Sequence, residues 1–479
     1  MGAALTYLPE PITERDTIDG EIVGRARFGA CGVQGWRRRM EDAHLVVPDL
    51  DGSSKFSLFG VFDGHGGRGV SRFAAKRLPD LLRSKEKELA DGRYGEALRD
   101  AFFEVDRELL TSAGKKEVER LDKRTKDEPR SRRIPCRIPK RVLASRMQAA
   151  ENGDDDRPVQ ASGEGEAEVD AEEGEEEEVC VGEDDLEEAE EEMLEGEGDN
   201  LALLDPGADP TEEPDREQAG EEDEPDEAAE DEEEEEMAMV AIDPDTVLMN
   251  STPDAQGCTA VVTLIDWSGA TGPGVAGARV VVANAGDSRC ILSTRKKAEE
   301  SKAEKVGAIA LSEDHKPELK TEKARIEAAG GEVKDMPGGA RVQGDLNLSR
   351  ALGDLRYKKR DDLPPSAQIV TADPEIREHT LTVDDQLLIL GCDGIWERNE
   401  NDTLSEKLSA RRQRAKDAEL SSLCGEVCDW TLCADMEGES EHDGTGCDNM
   451  TILIVEMLQP SSDENGGEPP AKRARQDCA

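Results

Sequence analysis

Three aspartates in this 479-residue chain stand beside short apolar runs: Phe59-Gly-Val-Phe-Asp63-Gly64-His65, Leu388-Ile-Leu-Gly-Cys-Asp393-Gly394 and Asp448-Asn449-Met-Thr-Ile-Leu-Ile-Val. The runs read as strands, and a strand end projects its side chain from a rigid frame at one edge of a sheet. Carboxylates that converge at such an edge without equal positive charge repel one another, and a hard divalent cation with oxygen ligands relieves that cost. Glycines beside two of the aspartates let backbone carbonyls and water approach the same ions. A lone Asp-Gly more often only starts a turn. Three such sites in one chain weaken that reading.

Two further segments make the set specific: Arg37-Arg-Arg-Met-Glu41-Asp42-Ala-His44 and Leu348-Ser-Arg-Ala-Leu-Gly-Asp354. With them the sequence resembles the type 2C, metal-dependent protein serine/threonine phosphatases. Eight blocks run in that family's order: Met40–His44, Asp63–Gly67, Gly257 with Thr259, Asn284–Arg289, Glu313–Pro317, Ser349–Asp354, Cys392–Trp396 and Asp448–Thr451. They fall within residues 22–112 and 250–458, and the acidic insertion between looks like that of the gamma-type animal members. Ordered blocks are far harder to obtain by chance than any one motif.

The resemblance implies an α+β fold, a central sandwich of two antiparallel sheets flanked by antiparallel helix pairs. It also implies two Mn2+ or Mg2+ ions bridged by Asp63 and a water, with the Gly64 carbonyl, Asp393 and Asp448 completing the protein ligands and Glu41 contributing through water. The implied reaction is hydrolysis of phosphoserine and phosphothreonine in proteins by a dinuclear-metal-activated water, with no covalent enzyme intermediate. Arg37 takes the position that grips phosphate, where a planar guanidinium reaches two oxygens. His65 is the candidate general acid for the departing serine or threonine oxygen, against a reading in which it only hydrogen-bonds behind the site. Asp42, Thr259 and Asp287 match positions that order the water network, Ser349–Asp354 reads as scaffold and substrate-side loop, and Glu397 stands where many relatives have a third-metal aspartate.

The elements that must hold these residues are short. Strands are expected around 41–47, 57–62, 258–265, 279–284, 288–292, 375–379, 386–390 and 450–457, and helices over 70–82, 94–110, 317–329 and within 403–434. The segment 398–446 follows the family pattern poorly. Its Cys424, Cys428 and Cys433, with Cys447 and His442, are spaced too irregularly for a zinc site, so they read as core or surface thiols.

Charge divides the chain. Of a net −52, about −42 lies in residues 151–240, which hold 44 acidic and two basic residues; such self-repulsion excludes a packed core there. The expected organisation is an N-terminal extension (1–21), a first catalytic part (22–114), a basic linker (115–150), a disordered acidic insert (151–248), a second catalytic part (249–458) and a disordered, basic-ended tail (459–479). The acidic insert excludes direct nucleic-acid binding and suits recruitment of basic phosphoprotein substrates, nuclear ones included. A solvated spacer, a partner for the basic linker, and an acidic chaperone or scaffold for basic proteins are the alternatives. No run reaches membrane-span length, and the eleven cysteines form no Cys-x-x-Cys pair. Gly2 fits a myristoylation pattern, which would give at most weak membrane contact. The basic cluster Lys472-Arg473-Ala-Arg475 suits residence in nucleus and cytoplasm, and a monomer is expected.

Overall fold

In the computed structural model, residues 7–123, 253–270, 274–296, 305–336, 338–434 and 444–458 are described, together with the backbone of 134–139 and 237–242. Most of the acidic insert and of the basic linker, the tail, Gly2 and His442 lie outside them. Two antiparallel sheets make the frame. The first runs, in spatial order, Tyr7–Ile22 (β1), Ala26–Arg37 (β2), Met450–Met457 (β11), Asp385–Gly391 (β10), Arg289–Lys296 (β7) and Lys305–Ala310 (β8). The second runs Glu375–Thr380 (β9), Arg279–Ala285 (β6), Ala260–Asp266 (β5), Phe56–Phe62 (β4) and Ala43–Val47 (β3).

The central strands are apolar along their length because both of their faces are covered. In β4, alternate side chains leave in opposite directions: Phe59 and Val61 enter the cluster between the sheets, whereas Phe56, Leu58 and Phe62 enter the cluster under the helices. β5 and β6 divide in the same way, with Val261, Ile265, Val280 and Val282 inward and Val262, Leu264 and Val281 outward. Phe28 of the first sheet meets Phe59 of the second with ring centroids 5.7 Å apart. Each such side chain taken fully from water contributes roughly 1.5–3 kcal/mol.

Helices Gly69–Arg83 (α1) and Tyr94–Leu110 (α2) cover the second sheet through Val70, Phe73, Leu98 and Phe102. Asn401–Arg414 (α5) and Leu420–Thr431 (α6) cover the first through Leu404, Leu408, Leu423 and Val427. A smaller cluster around Ile326, Val342 and Tyr357 joins helix Lys320–Ala328 (α4) to the loops that follow it. The segments before and after the insert belong to one unit, and β11 from the end of the chain pairs with β2 from its beginning.

Three details differ from expectation. Tyr7–Ile22, within the stretch read as an extension, is an edge strand paired to β2. Ser112–Asp122 (α3), which reaches into the stretch read as linker, is a helix capped by the Thr111 side chain and packed on α1 and α2. It buries Gly114 and Val118 and packs the partly buried Leu121 on the same cluster, a narrow apolar face on a sequence that is otherwise charged. Pro317 precedes α4 rather than occupying its first turn.

Candidate active site

Strand ends from both sheets converge at one end of the sandwich. Asp63 follows β4, Asp287 lies between β6 and β7, Asp393 follows β10, and Asp448 precedes β11. Register locks these ends together, since Arg289 opposes Gly391 and Gly391 opposes Ile452. One carboxylate oxygen from each of Asp63, Asp287 and Asp393 lies within 4.8 Å of the others, and Asp42, Asp63 and the Cys392 thiol form a second such group.

Crowding of buried and partly buried acids dominates the electrostatics. Burial, and then the charges of Asp393, Asp42, Asp448 and Asp287, hold the Asp63 carboxyl well above the carboxylate range. Asp42 is pushed up to about 7, chiefly by burial, although Thr451 Oγ1 donates to its Oδ2 at 2.7 Å. Burial and then Asp393 push Asp287 up to about 6, against the pull of Lys316, whose Nζ donates to it. Asp393 is raised by burial and then by Asp448. Asp448 is raised by burial while Arg37 pulls it down, Arg37 Nη2 donating to its Oδ2 at 2.6 Å.

The arrangement fits hard divalent cations. The donors are carboxylate oxygens, and Asp42 Oδ1 is buried without a hydrogen-bond partner among the described residues. Cys392 offers no rival thiolate: burial holds its pKa well above normal, and its sulfur already accepts from the Thr451 N–H at 3.1 Å and donates to Asn449 O at 3.4 Å. Gly64 has to be glycine, since a Cβ there would lie 2.2 Å from Glu41 O.

Of the ligands expected from sequence, Asp63 and Asp393 are brought together, and Gly64 is adjacent in the chain. Asp448 belongs to neither of the close groups among the described residues. Glu41 also stands apart; its N–H donates to Asn449 Oδ1 at 2.9 Å, and its carboxyl is pushed up to about 7 by burial, with His65 and Arg39 the strongest charges acting on it. Arg37, at the end of β2, has a buried Nε with no partner among the described residues. Burial lowers the pKa of His65, but Asp354, 2.7 Å from its Nε2, outweighs that and raises it. Glu397 follows one turn after Asp393 and belongs to neither group.

Sequence reasoning placed Asp287 only in a water network, whereas the structure sets it in a close carboxylate group. Its signal was an aspartate just past an apolar run, as for Asp63 and Asp393. Lys316, the cation against Asp287, was part of the Glu313–Pro317 block but carried no signal of its own. Thr259 stands beside Asp63: its N–H donates to Asp63 O at 2.9 Å, and its Oγ1 accepts from the Asp63 N–H at 3.3 Å.

The family model described as protein phosphatase 2C matches residues 26–124 and 187–437. This chain belongs to the protein phosphatase 2C family. The match ends short of Asp448, but longer alignments pass it. "Probable protein phosphatase 2C 21" of Arabidopsis thaliana is 32% identical over 463 residues, covering 97% of this chain and 95% of that protein. "Protein phosphatase 1G" of Homo sapiens is 32% identical over 587 aligned residues, covering 100% of both. Among solved structures, a phosphatase from Toxoplasma gondii shares the fold, with a TM-score of 0.50, 18% identity, and coverage of 93% of this chain and 96% of that one. As a protein phosphatase 2C, the chain is a metal-dependent protein serine/threonine phosphatase.

Proposed function

We propose that this phosphatase hydrolyses phosphoserine and phosphothreonine in proteins at the strand-end carboxylates, with Asp63, Gly64 O, Asp393 and Asp448 holding two Mn2+ or Mg2+ ions and Glu41 assisting through water. The observation that carries this reading is the close approach of Asp63, Asp287 and Asp393, one buried and two partly buried acids that resist ionisation together unless cations share the site. Bound ions would supply an acidified water and offset the phosphate charge. The protein's own groups do the rest. Arg37 orients the phosphate through its guanidinium and is itself held by Asp448. His65 donates a proton to the departing side-chain oxygen. Asp287 and Lys316 keep a compensated charge pair beside Asp393.

The test is turnover of a phosphothreonine peptide with Mn2+, with Mg2+ and with chelator, for the unaltered chain and for Asp63→Asn and Asp393→Asn. Activity that requires either ion and is lost in both variants is expected. Undiminished turnover in either variant, or in chelator, overturns the assignment. The acidic tract is proposed to recruit basic phosphoproteins, on its charge alone. Deletion of residues 151–240 should then slow turnover of a basic phosphoprotein at low salt without slowing that of a small phosphoester; equal rates on both would reject recruitment.

A further inference from the structure

A short three-stranded ribbon lies beside the carboxylates, with Gly257–Cys258 in the middle, Gly64–His65 on one side and Leu352–Gly353 on the other. His65 and Gly353 both oppose Gly257. At that central position a Cβ would lie 2.3 Å from Asp354 Oδ2 and 2.5 Å from His65 Nε2. The missing side chain is therefore the gap across which the imidazole and the Asp354 carboxylate meet, 2.7 Å apart.

Asp354 is shaped for that contact. Its side chain has no exposure to solvent, and its Oδ1 is buried without a hydrogen-bond partner among the described residues, so Oδ2 is its one hydrogen-bonding oxygen. Its backbone is left-handed, φ 49° and ψ 39°, a conformation uncommon outside glycine but open to aspartate, and its surroundings hold it there. Enforcement comes from both sides: Asp354 N–H donates to Gln256 O at 2.8 Å, and Tyr357 N–H donates to Asp354 O at 2.9 Å. The neighbouring cation is committed elsewhere. Lys358 donates to Asp106, which also accepts the Gly353 N–H at 2.9 Å, leaving the Asp354 charge facing His65.

The geometry points to Asp354 as a positioning residue for His65, closing a motif that otherwise reads as scaffold. This rests on His65 being the proton donor. Asp354 accepts the Nε2–H and so fixes the ring, leaving Nδ1 as the nitrogen that serves the substrate. As the bond from phosphorus to the serine or threonine oxygen breaks, its electron pair stays on that oxygen. Nδ1 hands over its proton, and neutral imidazole remains with its other proton still on Nε2. Water supplies the new oxygen on phosphorus.

The experiment compares the Mn2+-loaded full chain with Asp354→Asn and His65→Gln on two substrates, a phosphothreonine peptide, whose alkoxide must be protonated, and p-nitrophenyl phosphate, whose leaving oxygen need not be. Asp354→Asn should lower kcat on the peptide by about tenfold or more with KM unchanged, and change kcat on the aryl ester less than about threefold. Equal losses on both substrates would reduce Asp354 to scaffold. If His65→Gln itself shows no dependence on the leaving group, the proton-donor reading fails; if His65→Gln shows it and Asp354→Asn does not, only the positioning role fails. A second readout needs neither activity nor a variant that folds. In the metal-free wild-type chain labelled with 15N-histidine, the His65 Nε2–H should appear as a slowly exchanging, hydrogen-bonded proton, and its absence overturns the proposal.

Discussion

Glu322→Gln is the sharpest test of how the loops behind the site are held. The Glu322 carboxylate is buried in α4 and accepts from Arg350 Nε at 3.0 Å, Arg350 Nη2 at 2.6 Å, Arg325 Nη1 and Ser349 Oγ at 2.8 Å. Burial pushes its pKa up, but the hydrogen bond from Arg350 and the charges of Arg325 and Arg350 win and bring it down to about 2, from an ordinary 4.5. Burial in turn holds Arg325 below its own usual value, so the pair is not free of cost. A depression of that size corresponds to about 3 kcal/mol of stability at pH 7. Removing one partner of a buried ion pair costs about 3–5 kcal/mol by mutational experience, which agrees. The sign follows from the depressed pKa: the contribution is complete above about pH 4.5 and is lost as pH falls through 2, so the gap between wild type and variant should shrink to less than half by about pH 3. Urea denaturation followed by tryptophan fluorescence measures it cleanly, because Trp36, Trp267, Trp396 and Trp430 all lie in the folded unit. A loss below about 1 kcal/mol at pH 7, or one independent of pH, would refute the reasoning.

The metal-free protein should lose stability as pH rises. Acids pushed up to about 7 (Asp42, Glu41) and 6 (Asp287) bind protons more tightly folded than unfolded, so their penalty is absent below about pH 4, grows to about pH 7 and then levels. Melting temperatures in chelator should fall between pH 5 and 7, and Mg2+ should recover the loss; a flat or rising curve in chelator contradicts the crowding argument. Gly394→Ala places a Cβ 2.1 Å from Asn449 O and 3.3 Å from Asp448 Cβ, forcing the Asp393 and Asp448 segments apart. We expect a stability cost of about 1–3 kcal/mol and weakened Mn2+ binding by calorimetry, and unaltered affinity would show that the two segments are not coupled.

Much of this was legible in the sequence. β4, β5, β6 and β10 are apolar runs bounded by turn residues, and the aspartates that follow or precede such runs announced the site. What stayed hidden has physical causes. β1 is an edge strand with Pro9 and Pro11 near its start and most of its positions exposed, so only Leu8 and Ile22 are buried apolar anchors. α3 touches the core through only Gly114, Val118 and the partly buried Leu121, set among charged residues. Asp287 resembles any turn-starting aspartate in the sequence, and only the pairing of β6 and β7 with their sheets brings it to Asp63 and Asp393. The partnership of Asp354 with His65 spans 289 residues, and no local pattern encodes it.

The place of β11 between β2 and β10 has a consequence for biosynthesis. On the ribosome, the β1–β2 hairpin emerges well ahead of β11, and its inner edge stays bare until β11 leaves the exit tunnel, an interval of order tens of seconds at roughly 5–20 residues per second. A nascent chain in that interval displays an unsatisfied apolar strand, which is a target for chaperones and for other chains. Premature termination before Met450 would therefore yield an aggregation-prone fragment rather than a soluble, inactive enzyme.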